Sequence, residues 1–444
     1  MKNRHTSLLL LSAALLVLAG PAVAQNGFNV PFSQFGIGLN DQPFNLPSMY
    51  GMGGAAYSRA GSAYINPMNP ASYGAIGMES FVLDFGMNLQ ASTLSQGSTR
   101  VGDMDGDIAH IMVAFPILKW WKTALGLLPY SQVDYQTIQE QPSALQGSTV
   151  SNTFEGTGGV SQLFWGNAFN IGQRLMVGFN INYLYGSLTR ALAYEFDQAD
   201  SLYLQDSRRQ KDTKVSNLVF DLGLRYAQPL GERYTLNVGL TCRLPRTMSV
   251  EDRSLVYTYV KKGTVEYLCD TIFPQAGKED TYQSTLQQPL TMGLGVALER
   301  NDRWEIDLDG YYSPYSGMKY IENTSYNILG NSSVRYAPNW RVSLGGEWKG
   351  DINAASYWGR IGIHAGVYYN HGRLTLEHEG ELVSLDEKGV GLGFTFPMRK
   401  GRSILGLNFA YSRFGHDDIL QRDLFSIGIS LGANERWFVK KKYN

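Results

Sequence analysis

Past its first two dozen residues this chain has no apolar run long enough to cross a bilayer as a helix. It carries 2 cysteines in 444 residues, so no disulfide framework holds it together. Its 38 basic and 39 acidic residues leave a net charge of −1, which excludes an electrostatic grip on nucleic acid. Its 6 histidines show neither metalloprotease nor paired-ligand spacing. Cys242 and Cys269 fall in or beside one outer region, and the sequence leaves open whether they bridge or stay free.

What is present in excess is glycine (49), tyrosine (27) and tryptophan (8). A mean hydropathy of −0.20 is that of a soluble protein, but an average hides alternation. From Leu290 to Leu298 the apolar set is Leu290, Met292, Leu294, Val296 and Leu298, with Thr291, Gly293, Gly295 and Ala297 between. The same period of two runs through Phe81–Leu89, Leu175–Tyr185, Leu218–Tyr226, Leu236–Leu240, Trp304–Leu308, Trp340–Leu344, Ile361–Val367, Val390–Phe396, Leu405–Phe409 and Phe425–Leu431. With Ile108–Phe115, Trp121–Val133 and Val160–Asn170 this gives about fourteen strands. An even number of strands, each oily on one face only, predicts an all-β transmembrane antiparallel barrel over 79–439. In lipid a closed barrel is one of two ways to pair every backbone N–H and C=O. Tyrosine and tryptophan suit its interfacial girdles, and glycine suits strands that face a crowded interior.

The connections orient the barrel. Ile171-Gly172-Gln173, Pro229–Glu232, Arg300-Asn301-Asp302 and Met398–Gly401 read as tight periplasmic turns, and Lys349–Trp358 as a longer one. Gln139–Gly158, Arg246–Gln283 and Ser313–Arg335 read as long outer loops. At the start, Lys2 and Arg4 precede the apolar run Leu8–Leu18 and the small residues Ala22, Val23 and Ala24. This predicts a cleaved export signal over 1–24, mature protein from Gln25 and a periplasmic tail at 440–444. Export plus a barrel implies the outer membrane of a double-membraned bacterium. Residues 25–78 do not alternate and are rich in Gly, Ala, Pro, Asn and Ser; they read as a plug inside the barrel, the alternative being a flexible periplasmic extension.

Two stretches of that segment are distinctive: Gly51-Met52-Gly53-Gly54-Ala55-Ala56 and Asn66-Pro67-Met68-Asn69-Pro70-Ala71. With Gly126–Ser131, Gly158–Gln162 and the terminal Glu435–Lys440, they resemble the FadL-type transporters of hydrophobic compounds, in order and spacing, across nearly all the mature chain. Met68 departs from the pattern, standing where the first Asn-Pro motif carries Ala. The resemblance implies a fourteen-stranded barrel, an N-terminal plug carrying Gly53, Gly54, Asn66, Pro67, Asn69, Pro70 and Ala71, and a hydrophobic ligand captured outside. Fatty-acid-like or aromatic compounds would pass by plug movement or a lateral opening.

The residues themselves nominate two further groups. Tyr257, Tyr259, Tyr267 and Phe273 place aromatic area in an outward loop, either as a capture surface or as an ordinary hairpin above the membrane. Asp221, Arg225, Glu305, Asp307, Arg341, Arg360 and His364 fall on polar phases and predict a lumen network of both signs, with the strands of Asp307 and Arg341 adjacent. Asp103, Asp105 and Asp107 resemble the start of a calcium loop, but Ala114 stands where its closing Glu belongs. No Ser, His and carboxylate trio stands out, so neither enzyme, metal site nor cofactor is expected. The expected partners are membrane lipid and a hydrophobic small molecule, with a single barrel as the working unit. The competing reading is a barrel of the same superfamily used as a protein-interaction or secretion-system part.

Overall fold

The computed structural model describes residues 30–34, 36–38, 46–142, 149–196, 205–262, 265–274, 281–300, 303–315, 320–321, 334–378, 380–398, 402–416 and 419–437. The expected export signal and the tail at 440–444 lie outside these. Fourteen antiparallel strands close into a barrel. They are β1 Ser80–Gln96, β2 Thr99–Leu118, β3 Trp121–Gln132, β4 Thr149–Ile171, β5 Leu175–Phe196, β6 Asp206–Leu230 and β7 Tyr234–Arg243. The second half is β8 Thr291–Arg300, β9 Trp304–Ser313, β10 Asn339–Trp348, β11 Gly362–His371, β12 Asp386–Met398, β13 Ser403–His416 and β14 Leu420–Arg436. Each pairs with its sequence neighbours, and β1 closes on β14 from Ser80↔Arg436 to Ser95↔Gln421, leaving the ring no open edge.

Alternation dictates which way the side chains point. On β8, Met292, Leu294, Val296 and Leu298 are exposed to the surroundings, while Gly293, Gly295 and Ala297 are buried toward the bore. Aromatic groups mark both rims of the oily band. Trp340 packs against Tyr369 at the outer end of β10 and β11, whereas Tyr234 meets Trp304, and Phe81 stacks on Trp437 at 4.2 Å, at the inner end.

The wall is uneven in height. Strands β9, β10 and β11 have 10 residues each, about what the hydrocarbon layer requires. Strands β4, β5 and β6 have 23, 22 and 25, so they rise well beyond the membrane. Two outer loops expected from the sequence are therefore largely strand. Tyr135–Pro142 continues β3 and pairs with β4. Arg246–Lys262 continues β7 and pairs with β6, with Val265–Phe273 as a hairpin and with Thr281–Gln288 below. Polar residues on the exposed phase disguised these extensions as loop. The Lys349–Trp358 connection is a turn with no strand hidden in it among the described residues, tied by Asp351 N–H to Gly359 O at 2.9 Å.

Candidate functional site

The inward faces of the strands are occupied by the chain's own amino-terminal residues. Residues 46–76 run against strand after strand: Pro47 and Tyr50 beside Gly428 on β14, Met52 beside Gly345 and Gly366 on β10 and β11, Ser58 beside Gly295 on β8. They continue with Pro70 beside Gly178 on β5 and Tyr73 beside Gly166 on β4. The inward glycines are what permits this approach. A Cβ on Gly239 would overlap the Tyr57 carbonyl oxygen, and one on Gly391 the Tyr50 carbonyl oxygen.

Charge then fixes the middle of the segment. Glu305, Asp307 and Asp309 alternate on β9 and so share its inward face. Asp309 accepts hydrogen bonds from the backbone N–H groups of Ala56 at 2.6 Å and Tyr57 at 2.8 Å, and Asp307 accepts one from the Ser58 hydroxyl at 2.5 Å. Arg59 pairs with Glu347 on β10 and lies 3.6 Å from both Glu305 and Asp307. Lys349 completes the cluster on Glu299 at 2.5 Å and Glu305 at 3.0 Å. Arg59 is 7% exposed, so its charge depends on these carboxylates, with the Tyr64 ring 5.8 Å away as a further contact.

The motif residues expected from the sequence are all buried here. The Gly53 carbonyl accepts from Arg341 at 2.5 Å. Asn66 donates to the carbonyls of Ala56 and Arg59, and Asn69 to those of Tyr57 and Leu224. Asn69 also caps the short helix Pro70–Ala75 by accepting from Ala71 N–H, and Pro67 O accepts from Asn180 at 3.0 Å. Gly54 lies against the Arg341 guanidinium with φ +76, a backbone shape suited to glycine.

Of the expected lumen network, β9 and β10 are indeed neighbours, carrying Asp307 and Arg341. Asp221 pairs with Arg243 at 2.6 Å, Arg225 donates to Ser58 O and Asn237, and His364 bonds Asn408 at 2.6 Å. Arg360 does not belong: it sits in the turn before β11 and donates to Ala354 O at 2.9 Å, because the alternation that placed it stops at Gly362. The aromatic loop group also divides. Tyr259 is fully buried and donates to Glu195 at 3.0 Å, and Tyr257 packs beside it, whereas Tyr267 is 54% exposed on the hairpin's other strand. Phe273 is half-buried at that strand's end. The cysteines are free, Cys242 half-buried and Cys269 exposed.

Sequence reasoning missed Arg59. Its signal was available, since it is the only basic residue between positions 26 and 78. It also missed the buried His110–Asp84 pair at 3.0 Å, whose carboxylate accepts from Ile65 N–H.

Higher in the bore, residues 30–34 and 36–38 cross the lumen. Val30 N–H donates to Asp134 O at 2.7 Å, and Ser131, Arg190 and Arg373 donate to the carbonyls of Ile37, Gly36 and Gly38 at 2.6, 2.7 and 2.6 Å. Val30 and Phe32 pack with Leu374, Leu385 and Phe414, and Ile37 with Val133, Leu184, Val215 and Leu286. A cavity of about 130 Å³ lies beneath, lined by Tyr57, Pro67 and Met68 from the lower segment and by Leu374, Leu385 and Phe414 from the wall that holds Phe32.

The fold has solved counterparts. The barrel is similar to the CymD monoaromatic hydrocarbon channel (TM-score 0.54, 12% identity, covering 88% of this chain and 98% of that one). It is similar to a Pseudomonas aeruginosa FadL homologue (0.52, 13%, 88% and 98%) and to the Pseudomonas putida toluene transporter TodX (0.51, 12%, 88% and 100%). At these identities the likeness is one of fold, so the FadL resemblance read from the sequence is architectural. None of the curated proteins matches the chain. The family model described as BamG matches residues 7–444, essentially the whole sequence, and the chain belongs to the BamG family.

Proposed function

We propose that this protein is an outer-membrane channel that passes hydrophobic small molecules. Residues 46–76 act as its plug and residues 30–38 as its outer gate. One observation carries the reading: the apolar walls of the outer bore, around Leu374, Leu385 and Phe414 on one side and Val133, Leu184 and Leu286 on the other, are filled by Val30, Phe32 and Ile37. A hydrophobic molecule arriving from outside gains the same burial by replacing them, which exposes the cavity beneath. The exposed Tyr267, Leu268 and Ile272 on the tall outer hairpin serve as a first capture surface. The fold of hydrocarbon channels supports this reading without supplying a substrate. The test is uptake of labelled hydrophobic compounds by cells with and without the gene. A defect for at least one compound class is expected, and equal uptake across a broad panel overturns the proposal.

A second reading is favoured by Arg59. A buried cation held by three carboxylates makes the lower closure costly to open, which suits a barrel serving as a membrane-embedded part of a protein assembly. A partner that co-purifies stoichiometrically from cross-linked membranes, together with unchanged uptake, would establish it instead.

A further inference from the structure

On the lipid side of the barrel, the outer rim of strands β11 to β14 carries an arrangement of charge that the bore does not explain. The ladder sets Tyr369, Lys388, Arg413 and Asp423 in one row, each directly across from the next. All four fall on the outward phase, one step above Val367, Val390, Tyr411 and Phe425, which are exposed on the oily band. Side chains opposed in such a ladder stand about 5 Å apart at Cβ, and like charges placed there repel. Asp423 answers only Arg413, accepting from its Nε at 2.7 Å and its Nη2 at 3.3 Å. On the other flank the Tyr369 hydroxyl is spent on Asp386, which also holds His371 at 3.0 Å and the Ser384 hydroxyl at 2.6 Å. Lys388 is exposed and has no hydrogen bond or ion pair among the described residues. Arg100, exposed opposite Ser95 at the top of β2, adds a third cation within electrostatic reach of Asp423.

A lone lysine at a membrane rim extends its ammonium into water and needs nothing more. A lysine set across from an arginine that a carboxylate holds in place is a different object: a pair of cations at headgroup height, above side chains that meet acyl chains. A phosphate between them accepts from both and turns their repulsion into attraction. We infer that Lys388 and Arg413 hold the phosphate of an outer-leaflet lipid, whose acyl chains run down the oily face beneath. The site lies outside the bore, so it stands or falls independently of the transport proposal.

Native mass spectrometry of the purified full-length protein, released from detergent micelles, tests this with dioleoyl phosphatidic acid, dioleoyl phosphatidylcholine and inorganic phosphate at equal concentrations. Phosphatidic acid is expected to bind at least tenfold more tightly than phosphatidylcholine, and inorganic phosphate not to be retained. Lys388→Gln and Arg413→Gln, each confirmed as folded by its heat-modifiable mobility on gels, should each weaken phosphatidic acid binding by about fivefold, the order expected of one cation facing an anionic lipid. Arg402→Gln removes an exposed cation from the inner turn before β13 and should change it by less than twofold. Equal binding of the two lipids, a preference unchanged in either rim variant, or the same loss in Arg402→Gln overturns the site. Retention of inorganic phosphate without a preference between the lipids overturns its assignment to a lipid.

Discussion

Residues 30–34 with 36–38, and residues 46–76, both come from the amino-terminal side of the barrel and both pack on its inward faces, yet they are held by different forces. The lower segment is seated on glycines and clamped by Arg59 among carboxylates. The upper one is held by three apolar side chains and by bonds to its backbone carbonyls. Apolar contacts exchange readily for a hydrophobic ligand, because the ligand replaces like with like. A buried ion cluster has no such substitute. On the channel reading proposed above, the upper segment is the element a ligand displaces and the lower one stays in place.

The sharpest way to break this contrast is to remove the clamp. Arg59→Met leaves Glu305, Asp307 and Glu347 without their shared cation, a loss of about 3–5 kcal/mol. The expected outcome is a lower unfolding temperature by gel mobility and increased ion conductance in planar bilayers. Adding Glu305→Gln, Asp307→Asn and Glu347→Gln to that variant should recover much of the stability, since a neutral lining no longer buries uncompensated charge. The next effect is steric. Gly239→Val drives a side chain into the Tyr57 carbonyl and should cost about 1–3 kcal/mol, with conductance rising as the segment lifts from β7.

These two residues also show what could be read in advance. The barrel was legible because a period of two is local: Met292, Leu294, Val296 and Leu298 declare their lipid face without help from any other strand. Inward glycines such as Gly239 and Gly366 were visible on the opposite phase, but which backbone would lie on them was not. Contact between main chain and glycine leaves no side-chain pattern to read. Arg59 escaped notice for a related reason, as a single charge has no periodicity, and its meaning depends on Glu305, Asp307 and Glu347 far away in sequence. Arg360 was misplaced by extending an alternation past the strand that generates it. The tall wall was underestimated because Tyr135–Pro142 and Val265–Phe273 are exposed on nearly every residue and read as loop.

The upper segment should yield to milder changes. Arg190→Ala and Arg373→Ala each remove one charged donor from a gate carbonyl, worth roughly 1.5 kcal/mol apiece. Hydrogen exchange across residues 30–38 should quicken in both variants and in their combination, while residues 46–76 stay protected. Equal quickening of the two segments would mean that they move as one body and that the distinction drawn between them is false.

The smallest expected effect is one of pH, and it too falls on the gate alone. Asp134, in the break just above β3, accepts Val30 N–H through its backbone and donates its own N–H to Ser33 Oγ at 3.1 Å. Burial pushes its carboxyl up to about 6 from an ordinary value near 3.8, with the negative charges of Asp103 and Asp105 adding to the rise. The assembled gate therefore favours the protonated carboxyl. That contribution is fully present below pH 3.8 and is lost as the pH climbs through about 6, because Asp134 ionises more readily once the segment has left it than while the segment is docked. Once exchange rates are corrected for their intrinsic dependence on pH, residues 30–38 should be better protected at pH 5 than at pH 7.5. Asp134→Asn should abolish that difference, and the lower segment should show none in either protein. A pH response shared by residues 46–76 would mean instead that the charge at Asp134 reaches the Arg59 cluster, coupling the gate to the plug beneath it.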